Sequence, residues 1–299
     1  MPFALRSRCD WKLPTRSLPL GERTLVMGVL NVTPDSFSDG GLFASPAAAI
    51  EHALAMLEEG ADIVDIGGES TRPGKREPVG AQEEIDRVVP VLEGVLHHRP
   101  DSILSVDTYK SETAAAALRA GAEIINDVSG FLWDEAIAKV CSAGKCGVVL
   151  MHTRGRPEEW RSLPALKPGE VVPLVAFGLQ QSLSKARKAG VARERIVLDP
   201  GFGFGKILEQ NYSLLAGFEN LASLGQPLLA GVSRKRFLGR TLAPLFGGVD
   251  PTVERRGNAS LAALTASILA GAHVVRVHDV LVSLEAAAIA DAVLAASVQ

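Results

Sequence analysis

From residue 25 to the end, short unbroken apolar runs alternate with longer stretches in which apolar residues recur at helical spacing. The runs at 25–30, 63–66, 102–106, 123–125, 147–151, 196–198, 228–230 and 273–277 lack the apolar–polar alternation of half-exposed strands, which predicts strands covered on both faces. The stretches at 46–59, 81–97, 111–120, 134–142, 171–189, 208–221, 255–270 and 281–296 predict helices, many of them rich in alanine. Ser45 before Pro46 is a helix start, a capping hydroxyl followed by proline in the first turn, and Gly60 and Gly121 are stops. Residues 242–254 read as a longer excursion before the next helix. About eight strand-then-helix units in one chain predict an α/β protein, a (β/α)₈ TIM barrel. Residues 1–24 fall outside the pattern and are expected to be an N-terminal extension, a hairpin or cap over the barrel bottom, with 25–299 as one domain.

The polar residues sort by position. Asn31, Asp65, Asp107, Asn126, His152, Asp199, Ser233, Lys235, Arg276 and His278 all stand at or just past the end of a predicted strand. In a (β/α)₈ barrel that rim carries the active site. One polar residue there is an ordinary cap; such residues at nearly every strand end converge on one place. The first of these loops is the densest, with Asn31, Thr33, Asp35, Ser36, Ser38 and Asp39 before Gly40-Gly41, and Pro34 stiffening its start. Its oxygens suit a cation, a phosphate or a polar ring.

Composition trims the alternatives. The net charge of -3 gives no global pull toward nucleic acid or an anionic membrane, so any anion site must be local. No apolar run reaches the length of a membrane span. The first twenty residues lack the apolar centre of a signal peptide, and a cytoplasmic location is the expectation. Cys9, Cys141 and Cys146 make neither a disulfide framework nor, with the histidines, a zinc pattern. The Gly201-Phe202-Gly203-Phe204-Gly205 run has neither the spacing nor the early position of a dinucleotide fingerprint, but it suits close approach to a flat ligand.

Several ordered motifs resemble those of the dihydropteroate synthases, the folate-pathway transferases that sulfonamides inhibit. They are Met27 through Gly41 (Met-Gly-Val-Leu-Asn-Val-Thr-Pro-Asp-Ser-Phe-Ser-Asp-Gly-Gly), Asp62 through Gly74, Ser105-Val106-Asp107-Thr108 and Ile125-Asn126-Asp127-Val128. Asp199-Pro200-Gly201-Phe202-Gly203-Phe204-Gly205-Lys206, Ser233-Arg234-Lys235 and Arg276-Val277-His278-Asp279 complete the order. The resemblance implies that the amine of p-aminobenzoate displaces pyrophosphate from 6-hydroxymethyl-7,8-dihydropterin diphosphate, with the C–O bond breaking largely before the amine attacks. It implies a pterin site at Asp107, Asn126, Asp199 and Lys235. It implies diphosphate binding by Asn31, Thr71, Arg72, Arg276 and His278, and a Mg²⁺ ion bridging Asn31 and the diphosphate. Phe37, Thr71, Pro73 and Ser233 are the matches for p-aminobenzoate, and the catalytic set becomes Asn31, Arg72, Lys235, Arg276 and His278. A homodimer through the outer helices is implied too, with 261–270 and 284–296 as candidate faces, although burial against the strands gives the same pattern.

The residues keep second readings. Asp107 and Asp199 suit helix N-caps, and Arg276 suits an ion pair with Asp279. Two departures from the family pattern are visible: Arg236 stands where a serine is usual, and the 152–156 loop is more basic, with Arg154 and Arg156 either over the pocket rim or facing solvent, the second being the expectation. A corrinoid-dependent methyltransferase barrel would share the strand-end acceptors but not the 31–41 and 67–74 loops. A catalytically dead scaffold would lose Arg72, Lys235 or Arg276 first.

Overall fold

The computed structural model describes residue 3 and residues 6–33, 45–69 and 79–297. Its first element is an antiparallel hairpin of β1 (Cys9–Lys12) and β2 (Ser17–Leu20), in the register Cys9 opposite Leu20. Eight parallel strands follow: β3 (Leu25–Asn31), β4 (Ile63–Gly67), β5 (Leu104–Asp107), β6 (Ile124–Asp127), β7 (Gly147–Met151), β8 (Ile196–Asp199), β9 (Leu229–Ala230) and β10 (Val274–Val277). Neighbours in sequence are neighbours in space, and β10 returns to pair with β3. The last seam, β8 against β9, is closed by a single parallel bridge, Leu198 to Leu228. The helices α1 (Pro46–Glu58), α2 (Ala81–His98), α3 (Ser111–Arg119), α4 (Ile137–Gly144), α5 (Pro168–Lys188), α6 (Leu208–Ala216), α7 (Arg236–Leu242), α8 (Gly257–Leu269) and α9 (Val280–Ala296) surround the strands. This is the expected TIM barrel.

Side chains alternate across each strand, so one known inward residue fixes the rest. Leu25, Met27, Ile63, Ile124, Val149, Val197, Leu229 and Val274 pack together inside the barrel. Val26, Leu30, Val64, Ile66, Val106, Ile125, Leu198 and Val275 point outward, against the helices. By the same parity Asn31, Asp65, Asp107, Asn126, Asp199 and Arg276 point inward at the carboxyl ends. The apolar layers below and the polar layer at the mouth are thus one pattern read along the strands.

The hairpin covers the other end. Trp11, Leu13 and Leu20 are buried with the lowest inward layer. The Trp11 indole Nε1 donates to the Arg195 carbonyl at 2.9 Å, so the ring is anchored at its polar edge as well as packed. Thr15 and Arg16 hold Glu123 just before β6, at 2.8 and 2.9 Å. Arg6 reaches Asp291 on α9 at 2.6 Å. The expected cap over the barrel bottom is therefore a folded, pinned element.

Helix boundaries depart from the sequence reading in several places, three of which bear on the loops. α7 lies where no helix was expected. α4 begins three residues later than 134, because Asp134 turns its carboxylate to the backbone N–H of Ala136 (2.8 Å) and of Ser111 at the start of α3 (2.7 Å). α6 ends at Ala216, and the chain continues through Gly217 as a 3₁₀ turn, Phe218–Leu224. The Ser45 cap is present, with its hydroxyl accepting from the Ala48 N–H at 3.3 Å.

Candidate active site

At the mouth, one guanidinium joins two carboxylates. Arg276 Nε donates to Asp65 Oδ2 at 2.6 Å and Nη2 to Asp107 Oδ2 at 2.8 Å. Asn126 Nδ2 donates to the same Asp65 oxygen at 2.9 Å. That bond orients the amide, leaving its carbonyl oxygen as an acceptor. Asp65 is fully buried and its Oδ1 has no hydrogen-bond partner. Arg276 therefore does not pair with Asp279. Arg234 takes that carboxylate instead, through Nε at 3.1 Å and Nη2 at 2.5 Å, from a left-handed backbone at φ 55°.

Burial pushes the Asp107 carboxyl up to about 7, against the pull of Arg276. For Arg276 burial works against the charge, but Asp65 and Asp107 outweigh it and hold the guanidinium above its ordinary value. Asp199 is also raised by burial, and its Oδ1 accepts the Gly201 N–H at 2.7 Å. That contact is a local turn, not a helix cap, and Asp107 caps no helix either. Lys235 lies over the Phe204 ring, 4.2 Å from its centroid. Burial lowers its amine to about 8, with Asp199 acting in the opposite direction. The site thus offers carboxylate and amide acceptors facing one ammonium and one guanidinium.

Two glycines leave the space between these groups. A Cβ at Gly67 would lie 3.5 Å from Asp107 Cβ and 3.7 Å from Asn31 Oδ1, and one at Gly231 would lie 3.7 Å from Asp199 Oδ2. Asn31, Asp107 and Gly67 are therefore close neighbours, as are Asp199, Gly231 and Arg276. Beside them Ser233 Oγ sits 3.0 Å from His278 Nδ1 and accepts the His278 backbone N–H at 3.3 Å. Phe37, Thr71, Arg72 and Pro73 lie outside the described residues. Among the described residues no group of three or more His, Cys, Asp or Glu side chains could hold a metal ion. Asn31 offers a single hard oxygen, which suits Mg²⁺, an ion that keeps several waters and is commonly bound together with substrate phosphates.

Some supporting residues were not singled out from sequence. Glu84 of α2 is buried and accepts from Thr108 (2.9 Å), Thr113 (2.7 Å) and Lys110 (3.2 Å). Lys110 also reaches Glu69 at 2.5 Å, and Glu69 Oε1 accepts the Val79 N–H at 3.4 Å. The two feet of the segment 70–78 are tied together by this network. Of the two basic residues of the 152–156 loop, Arg156 is exposed, as expected, and Arg154 is half-buried. Arg154 donates to the carbonyls of Gly205 (3.2 Å) and Pro164 (2.9 Å), and Arg156 stacks on Trp133 at 4.8 Å. Arg236 extends into solvent, 3.8 Å from Asp250.

A barrel mouth lined with fixed carboxylate and amide acceptors, one ammonium seated on an aromatic ring and one clamped guanidinium suits a class: an enzyme that grips a flat ring rich in N–H groups. The comparisons agree with that class. The family of pterin binding enzymes matches residues 27–278. The dihydropteroate synthase of a Synechocystis strain is 42% identical over 91% of this chain and 91% of its own. The structure of Xanthomonas albilineans dihydropteroate synthase with 4-aminobenzoic acid superposes with a TM-score of 0.84 at 40% identity, covering 97% of this chain and 99% of that one. The Yersinia pestis dihydropteroate synthase in complex with a sulfonamide drug gives a TM-score of 0.86 at 39% identity, covering 96% and 99%. The chain belongs to the dihydropteroate synthase family, and it is a transferase of folate synthesis.

Proposed function

We propose that this chain joins p-aminobenzoate to the methylene carbon of 6-hydroxymethyl-7,8-dihydropterin diphosphate, giving 7,8-dihydropteroate and pyrophosphate. The observation that carries the reading is the layer of inward acceptors, Asp107 and Asn126 at the adjoining ends of β5 and β6 and Asp199 at the end of β8, with the Lys235 ammonium near enough to feel Asp199 and Asp107. The pterin's ring N–H and amino groups donate to those oxygens, and Lys235 donates to a ring acceptor. Buried acceptors of this kind discriminate strongly, because a ring that cannot donate leaves them unpaired.

The C–O bond breaks ahead of amine attack, and the cation that forms is stabilised by the pterin. The carboxylates that hold the ring also lower the energy of that positive charge. Arg276 and His278 hold the departing diphosphate, together with Arg72 and Thr71. Asn31 would hold Mg²⁺ with the diphosphate, and the ion would neutralise charge on the leaving group. An aromatic amine is a neutral nucleophile near pH 7, so positioning by Phe37, Thr71, Pro73 and Ser233 serves the second half of the reaction without a strong base.

The protein acts in the cytoplasm as a homodimer. No helix among the described residues is long and apolar enough to cross a membrane. Support for the dimer lies on α9, where Leu281, Val282, Ile289 and Val293 are exposed on the outer ring. Mixing the protein with the pterin diphosphate, p-aminobenzoate and Mg²⁺ should release pyrophosphate in step with dihydropteroate. Pyrophosphate release that does not depend on p-aminobenzoate would reject the condensation.

A further inference from the structure

Lys206 is almost fully buried, yet among the described residues no carboxylate forms an ion pair with it. Its Nζ instead meets three backbone carbonyls: Gly201 at 2.8 Å, Phe204 at 3.2 Å and His152 at 3.3 Å. Two belong to the loop after β8 and the third to the end of β7, so a single ammonium joins two neighbouring strand ends. The three N–H donors of an ammonium match three convergent carbonyls, whose dipoles would otherwise repel one another.

The loop could not take this shape unaided. Gly201, Gly203 and Gly205 all have positive φ, at 68°, 84° and 68°. A Cβ at Gly201 would come within 2.0 Å of the His152 carbonyl oxygen, so the loop lies directly on β7. A segment so rich in glycine has little stiffness of its own and takes its shape from what grips it. Asn211 holds the far side, accepting the Gly203 N–H at 2.6 Å and donating to the Lys206 carbonyl at 2.9 Å.

Two of the three carbonyls that Lys206 holds belong to residues linked to groups at the mouth. Gly201 gives its N–H to Asp199, the proposed pterin acceptor. Phe204 carries the ring beneath the Lys235 ammonium, and Trp160 meets that ring edge-on at 5.6 Å. We propose that Lys206 is a positioning residue for the pterin site: its ammonium grips the carbonyls of His152, Gly201 and Phe204 and so sets the aim of Asp199 and Phe204.

The electrostatic surroundings agree. The charged and titratable groups facing Lys206 are Asp199 on β8, Lys235 after β9, and Arg154 and His152 after β7. Burial lowers the Lys206 amine to about 7, Asp199 opposes the shift, and Lys235 and Arg154 add to it. Carbonyl dipoles are thus its direct partners, and the ligand set is that of a small monovalent cation tethered to the chain.

The proposal rests on Asp199 binding the pterin, and pyrophosphate release by the unaltered protein separates failure of that reading from failure of this one. Lys206→Met keeps the aliphatic stem and removes the charge. In variant that retains the wild-type circular dichroism and a cooperative melt, calorimetry should show pterin diphosphate affinity reduced by about tenfold to a hundredfold, the scale of a small misalignment. Where Lys206→Met does not fold, Lys206→Gln, whose amide still donates to two carbonyls, takes the same measurement. Lys206→Ala opens the space, and methylammonium should restore pterin affinity in it, whereas tetramethylammonium, which has no N–H, should not. Wild-type affinity in a folded Lys206→Met protein overturns the proposal, and so does equal restoration of Lys206→Ala by the two cations.

Discussion

Arg276 shows how much a single residue can hold before any ligand arrives. It emerges from β10 with one nitrogen on Asp65 and another on Asp107, so its charge is already placed at the mouth. Arg234 is a few residues past β9 and is committed to Asp279. Replacing the two should therefore have unequal effects. Arg276→Ala is expected to weaken pyrophosphate binding by about tenfold or more, the scale of a lost charge-assisted contact, and Arg234→Ala by much less. Titration calorimetry with pyrophosphate and Mg²⁺ reads both, and equal losses would remove Arg276 from the anion site. Arg276→Ala also leaves Asp65 buried without its cation, and urea unfolding should show a loss of roughly 3 kcal/mol or more. Asp65 illustrates what one sequence can and cannot disclose. Its place at a strand end was plain, but its partners come from β6 and β10, and only closure of the barrel brings them together.

At the scale of elements, position at a strand's end made most of the site legible, and parity then fixed the face. Asn31, Asp107, Asn126, Asp199 and Arg276 each end a short apolar run, and a two-residue period leaves them no choice of face. Helices were less transparent. α7 is seven residues long and holds Arg236, Gly239 and Arg240, so its buried Phe237 and Leu238 are too few to announce a period. Glu84 sits four residues before Val88 on the buried side of α2, where helix pattern alone predicts an apolar residue. What makes a carboxylate tolerable there are Thr108, Lys110 and Thr113, all from the next unit.

His273, just before β10, is an element-scale joint with a pH signature. The Leu228 N–H donates to its Nδ1 at 3.2 Å, and Nε2 lies 3.1 Å from the Ser7 carbonyl. That pair of contacts requires the neutral ring with its proton on Nε2. Burial lowers its pKa to about 4 from the usual 6.5, with Arg6 acting in the same direction. The unfolded chain therefore binds more protons between those values, and stability falls as pH drops from 6.5 to 4. The change should reach roughly 3 kcal/mol, and His273→Gln, which keeps both contacts without titrating, should flatten that part of the curve. Denaturation midpoints measured across the window decide it. An unchanged slope in the variant would assign the acid sensitivity to other groups.

On the scale of the whole molecule the barrel has two ends with separate duties. Trp11 fills the bottom, so Trp11→Ala should cost about 3–5 kcal/mol in denaturant unfolding. Pterin affinity in the protein that remains folded should be unchanged, because the cap and the mouth share no residue. A fall in affinity would mean that the two ends are coupled. The outer ring makes a separate prediction. Ile289 is 67% exposed on α9, so Ile289→Lys should leave the fold intact and shift sedimentation from dimer toward monomer. A dimer that persists would place the interface elsewhere.

The plugged bottom also governs traffic. With Trp11, Leu13 and Leu20 sealing one end and apolar side chains filling the middle, everything that arrives or departs uses the same doorway. A corridor with one door works as a stack rather than a queue. The partner that lies deepest must enter before the others and leave after them, so a condensation performed there carries a timetable in its architecture.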